Sequence, residues 1–272
     1  MATVAATVGA MVAAFAPRPV KTAELELAAA QLGIDANQVR VALSRLRSQG
    51  KIASESRGVY RLSESVQLEQ TALGPWRERL DRIADAWDGD HFVALTSWLP
   101  KSDRKAARNR RRALTRLGFR EHHPGVAIRP ANLHLSLEDM TELLQRLGFD
   151  AEGDVLRAAE LSFDPRGHWG ESVDYRSRAR ELEDGLDELR KDGSVDAAVT
   201  AFQVANERIR DCVRDPLLPH EWVDAAGRAR FWQALIEYDA FGRTLWKRNV
   251  WDRVSVSPSG SSGAQKESAR GA

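Results

Sequence analysis

The stretch Ala36-Asn37-Gln38-Val39-Arg40-Val41-Ala42-Leu43-Ser44-Arg45-Leu46-Arg47-Ser48-Gln49-Gly50 decides how this chain is read. Val39, Ala42, Leu43 and Leu46 fall at i, i+3, i+4 and i+7, the spacing of one buried helical stripe. Asp35 can cap this helix and Gly50 can stop it. The opposite side holds Asn37, Gln38, Arg40, Ser44, Arg45 and Arg47. Asn, Gln and Arg carry hydrogen-bonding groups that pair with base edges in the major groove of duplex DNA.

Working outward, Thr22–Leu32 reads as a second helix capped by Thr22 and broken at Gly33. Val4–Ala16 is small and apolar. No Lys or Arg precedes it, and a charged, patterned segment follows where a cleavage site would stand, so it reads as a core helix ending near Pro17. After Gly50 come Lys51–Glu55, a turn at Ser56-Arg57-Gly58, and Val59–Leu62, a short hairpin with a basic tip. Three helices and a hairpin over residues 1–63 have the order of a winged helix-turn-helix, a DNA-binding module. In that reading Asn37, Gln38, Arg40, Ser44 and Arg45 read bases, while Arg47 and Arg57 touch phosphates or the minor groove. The same elements also suit a protein-interaction module whose polar face is merely solvated.

At 272 residues the chain is long enough for about two domains, or three small ones. Hydrophobic residues make up 43% and charged residues 29%, which excludes wholesale disorder. Forty Lys+Arg against 39 Asp+Glu leave a net charge of +1, so any nucleic-acid affinity has to be local. It is: residues 1–62 hold 8 basic and 4 acidic groups, and residues 101–120 hold 9 and 1. The single cysteine, Cys212, excludes an intramolecular disulfide and fits a reducing, cytoplasmic location. No run of 18 apolar residues exists, so no membrane span is expected. There is no phosphate-binding glycine loop, dinucleotide fingerprint, zinc-protease motif or nucleophile elbow, and the six histidines lack zinc-ligand spacing. The expectation is a non-enzyme without cofactor or metal.

Residues 64–88 read as a linker helix. Residues 89–165 then give strand (91–98), basic helix (102–117), strands at 120–122 and 125–130, helix (137–147) and strand (155–161). That βαββαβ order predicts a ferredoxin-like central domain, the usual setting of dimerisation. Its first helix carries Arg104, Lys105, Arg108, Arg110, Arg111, Arg112 and Arg116. Arg108, Arg111 and Arg112 are candidate contacts to the phosphate of DNA or of a nucleotide-like ligand. A solvated helix paired with the acidic flanks is the plainer alternative. Residues 166–253 read as a helical domain for effector or dimer contacts, its helices near 175–191, 195–214 and 226–248. Trp222, Tyr238 and Trp246 are candidates for an effector pocket, with plain core packing as the alternative. Residues 254–272, rich in Ser, Gly and Ala, read as a disordered tail. The fold class expected is thus mainly α with α+β.

Val39–Leu46 with Gly50 and the hairpin resembles the recognition-helix region of PaaX-type transcriptional regulators, the phenylacetic acid degradation repressor-like family. Trp87-Asp88-Gly89, Gly118-Phe119, Gly125-Val126-Ala127-Ile128-Arg129-Pro130 and Asp215-Pro216-Leu217-Leu218-Pro219 resemble that family's later landmarks, in the same order. The resemblance implies a winged helix-turn-helix, a ferredoxin-like centre and a helical carboxy-terminal domain. It also implies a homodimer on a palindromic operator, released by an aryl- or acyl-CoA thioester. Two positions depart from the pattern: Ala127 stands for the usual tryptophan, and His220-Glu221-Trp222 follows the connector. The small CRISPR nucleases similar to the central domain carry a metal-binding Asp where this chain has Ser97-Trp98-Leu99, so nuclease activity is not expected. The alternative is an RNA- or nucleotide-binding scaffold, or a vestigial nuclease, working through the basic central helix.

Overall fold

The chain builds its first layer from three short helices because none can bury its apolar stripe alone. In the computed structural model these are α1 (Val4–Phe15), α2 (Thr22–Ala30) and α3 (Ala36–Ser48). The residues described are 3–64, 66–67, 74–100, 102–170 and 173–251; the tail expected over 254–272 lies outside them. Val8, Met11 and Val12 of α1 meet Val39, Leu43 and Leu46 of α3 in one core, all nearly inaccessible to water. A two-residue strand, β1 (Val20–Lys21), joins the hairpin β2 (Ile52–Ser56) and β3 (Val59–Leu62) in an antiparallel sheet of order β1-β3-β2. β1 is too short to show alternation. It forms because the Thr22 N–H and hydroxyl both donate to the Gly58 carbonyl, at 2.8 and 3.0 Å.

The connecting segment departs from the expected helix over 64–88. Of its described part after residue 74, only Trp76–Arg82 is helical, as a 3-10 turn starting behind Pro75. Proline lacks the N–H that an α-helix would need further along. Ile83 then turns extended and bridges Leu133. The centre follows as β4 (His91–Leu95), α4 (Arg104–Arg116), β5 (Arg120–His123), β6 (Val126–Pro130), α5 (Leu137–Arg146) and β7 (Asp154–Ala158). All neighbours in the sheet β5-β6-β4-β7 are antiparallel. Phe92 and Ala94 of β4 pack with Ala113 and Leu117 of α4 and Met140 and Leu144 of α5 in a second core.

Three longer helices complete the chain: α6 (Tyr175–Lys191), α7 (Val195–Arg214) and α8 (Ala225–Trp246), the last running into a π turn at Lys247–Trp251. Their core is continuous with that of α1–α3. The described residues are thus mixed α and β, 58% helical, with two small antiparallel sheets. Among them no helix is long and apolar enough to cross a membrane.

The connector after α7 ties the two cores together. Leu217, with φ of 53°, inserts into the central core at 1% exposure. The Asp215 carboxylate accepts from the Tyr175 hydroxyl at 2.5 Å and the Leu217 N–H at 2.7 Å. Arg79 donates to the carbonyls of Val213 and Asp215, and Asn132 to that of Leu217. Burial, then the Asp215 charge, pushes the Tyr175 hydroxyl up. Burial, with Arg79 adding like charge, holds the Arg129 guanidinium down at about 9. Two sequence landmarks meet here. Gly118 has φ of +81°, and a Cβ there would stand 2.8 Å from the Pro216 carbonyl oxygen. Only glycine meets both demands.

Candidate nucleic-acid interface

The polar edge of α3 owes its rigidity to both ends of the helix. Asp35 and Gln38 form a reciprocal capping box. The Gln38 N–H donates to Asp35 Oδ1 at 2.8 Å, and the Asp35 N–H donates to Gln38 Oε1 at 3.0 Å. At the far end Gly50 takes φ of +67°. The Lys51 N–H reaches the Leu46 carbonyl and the Gly50 N–H the Arg47 carbonyl, both at 2.9 Å. That closes the last turn as a Schellman motif. Val39, Ala42, Leu43 and Leu46 are buried, so the other positions are turned outward.

Asn37, Gln38, Arg40, Ser44, Arg45 and Arg47 are all exposed, as is Arg57 at the tip of the hairpin. They are not chemically equivalent. Gln38 spends its carboxamide oxygen on the cap and keeps its NH2 donors, so in this state it cannot present the donor–acceptor pair that adenine requires. The Arg40 Nε donates to Glu26 of α2 at 3.0 Å, and its side chain remains 66% exposed. An ion pair that open contributes little and leaves the terminal nitrogens for a ligand. Val41, 61% exposed, sits between Asn37 and Ser44 on the same face. Being apolar, it does not stand out among the polar candidates of the helix. Its signal was there in the sequence, an apolar side chain at a position the stripe assigns to solvent.

The basic helix α4 is organised differently. Asp103 caps it, accepting from the N–H groups of Lys105 and Ala106, which hold its carboxyl below the usual range. Arg110 turns inward and pairs with Asp150 at 3.0 Å. Arg104, Lys105, Arg108, Arg111 and Arg112 are exposed, with no carboxylate within ion-pair distance among the described residues. The acidic flank at Asp150 thus neutralises the buried member of the cluster.

Trp222, Tyr238 and Trp246 are not brought together. Trp246 stacks on Phe202, ring centroids 5.0 Å apart, and lines a cavity. Tyr238 packs elsewhere on α8, against Gly185 of α6. Trp222 joins an aromatic cluster with Trp87 at 5.1 Å and Trp169 at 5.6 Å. His91 lies in the same cluster, buried, with neither ring nitrogen hydrogen-bonded. Burial pushes its pKa down, against the opposing pull of the nearby Gly89 backbone and the Asp90 charge. Among the described residues no group of three or more His, Cys, Asp or Glu is arranged to hold a metal ion.

A capped helix with a mixed polar edge, flanked by a three-stranded sheet with a basic hairpin tip, defines a candidate duplex-reading module. In comparison with known proteins, residues 4–66 match the family model described as PaaX-like protein, the family that the sequence landmarks resemble. No curated protein matches the chain. Among solved structures it is similar to "Uncharacterized protein Rv0674 from Mycobacterium tuberculosis", at 22% identity over 87% of this chain and 95% of that one, with a TM-score of 0.45.

Proposed function

We propose that the chain is a sequence-specific DNA-binding transcriptional regulator, a repressor working as a homodimer on a palindromic operator in the cytoplasm, and that it is not an enzyme. The observation that carries this reading is the outward placement of every polar side chain of α3 over an unbroken apolar stripe. The element order supports reading residues 4–62 as a winged helix-turn-helix with β2–β3 as its wing, and the antiparallel order β5-β6-β4-β7 supports reading 91–158 as ferredoxin-like. The match to the PaaX-like family supports a regulator-type role.

In this reading Arg40 and Arg45 address guanine edges, Asn37 addresses adenine, and Val41 meets a thymine methyl group. Ser44 and the NH2 of Gln38 add single hydrogen bonds. Arg47 and Arg57 touch phosphates, and Arg108, Arg111 and Arg112 add further phosphate contacts. Derepression follows when a small effector of the acyl- or aryl-thioester kind favours a dimer with the wrong half-site spacing. The test is retardation of a fragment from the protein's own upstream region, with scrambled DNA as control. Specific retardation is expected, and equal affinity for both fragments overturns the reading.

The exposed basic stripe on α4, with Arg108, Arg111 and Arg112, favours a second reading, a nucleotide- or RNA-binding scaffold. Replacing Arg108, Arg111 and Arg112 would then abolish binding, whereas a regulator acting through α3 loses only a fraction of its affinity.

A further inference from the structure

A cavity of about 620 Å³ lies where all three parts of the chain meet. Phe15 of α1, Phe202 and Ile209 of α7, and Trp246 of α8 supply apolar walls. Among the described residues its charged lining is lopsided: Arg77, Arg79 and Arg243 stand against one carboxylate, Asp239. Asp239, nearly buried, is shared by Arg77 and by Arg243, whose Nε donates to it at 2.9 Å. One carboxylate cannot neutralise two guanidiniums. Arg79, 5% exposed, spends its terminal nitrogens on backbone carbonyls and has a buried Nε with no partner. A buried N–H left unpaired is destabilising, so a guest that accepts from it gains that bond without displacing another.

The wall contributed by α1 gives this cavity its consequence. Met11 lines it and, at 2% exposure, also belongs to the core shared with α3. Two residues earlier, a Cβ on Gly9 would stand 3.5 Å from Leu46 of α3. Anything that shifts α1 shifts the floor under the polar edge of α3.

We propose that this cavity binds an amphipathic organic anion, its apolar body against α1, α7 and α8 and its anionic group at the arginine pole, and that α1 transmits occupancy to α3. The binding claim rests on the cavity alone; its regulatory meaning rests on the DNA-binding reading above. The direct test uses 8-anilinonaphthalene-1-sulfonate and its uncharged analogue N-phenyl-1-naphthylamine on the full chain without DNA. One saturable site per chain is expected, with the sulfonate bound at least tenfold more tightly. Arg243→Gln should erase most of that preference while leaving the neutral dye within about twofold, and Arg243→Lys should restore it. Ala14→Phe, at the exposed rim, should weaken both dyes. Sulfonate binding should also slow amide exchange in residues 4–15 and 36–48. Non-saturable binding, no preference for the anion, an unaltered preference in a folded Arg243→Gln variant, or unchanged exchange in α3 would overturn the proposal. A protein that takes up the dye but ignores promoter DNA keeps the cavity and loses the regulator; the reverse result loses the cavity alone.

Discussion

Helices α3 and α4 are both thirteen residues long, both capped by aspartate and both basic, yet they carry different kinds of information. The exposed edge of α3 mixes amide, hydroxyl, guanidinium and aliphatic groups. That of α4 is almost entirely guanidinium, and its one inward arginine is neutralised by Asp150. A varied edge can tell one base pair from another. A uniform one registers only the density of negative charge. A basic helix is therefore not evidence of sequence reading until its neutral polar residues are counted.

The largest effect should come from removing the discriminating edge. Arg40→Ala with Arg45→Ala is expected to abolish specific retardation of promoter DNA, each contact contributing about 1–3 kcal/mol, while weak salt-sensitive binding persists. Unchanged specific binding in that double variant would erase the distinction between the helices. Next comes the charge-only edge. Changing Arg108, Arg111 and Arg112 together to Gln should weaken binding to all sequences alike and flatten its dependence on salt, by about one unit of logarithmic slope per lost phosphate contact. A change in base preference would show that α4 reads sequence after all.

The two helices also stand on platforms that answer differently to pH. His91 lies in β4, under the sheet that supports α4, and burial lowers its pKa. The unfolded chain then binds a proton more readily than the folded one. Stability is full above the ordinary histidine value of 6.5 and falls as pH drops below it. As pH falls to 5.5, amide protection relative to the intrinsic rate should drop in residues 91–158 before residues 4–62. His91→Phe, which keeps the ring contacts to Trp87 and Trp222, should abolish the difference. The smallest effect is expected of Val41→Ala. Fold and general DNA affinity should hold, with a loss of under about 1 kcal/mol at sites that carry the thymine methyl, and none on DNA in which that methyl is replaced by hydrogen.

What was legible in the sequence was what is decided locally. Asp35, Gly50 and the spacing of Val39, Ala42, Leu43 and Leu46 fix α3 within a few residues, and its outward edge follows from geometry. What could not be read depends on partners far along the chain. β1 exists because Thr22 meets Gly58, and the fate of Arg110 is set by Asp150, forty residues on. Trp222, Tyr238 and Trp246 look alike in sequence, but three different surroundings claim them. The cavity draws its walls from segments nearly 240 residues apart, so no window of sequence contains it.

The single core that α1–α3 share with α6–α8 has a practical meaning. The amino-terminal module is not a detachable cassette. A chimera that transplants residues 3–62 onto another scaffold leaves α1 without the helices it leans on and strips α7 and α8 of their cover. If the proposed regulator reading holds, retargeting to new sites would have to proceed by editing the outer edge of α3 in place.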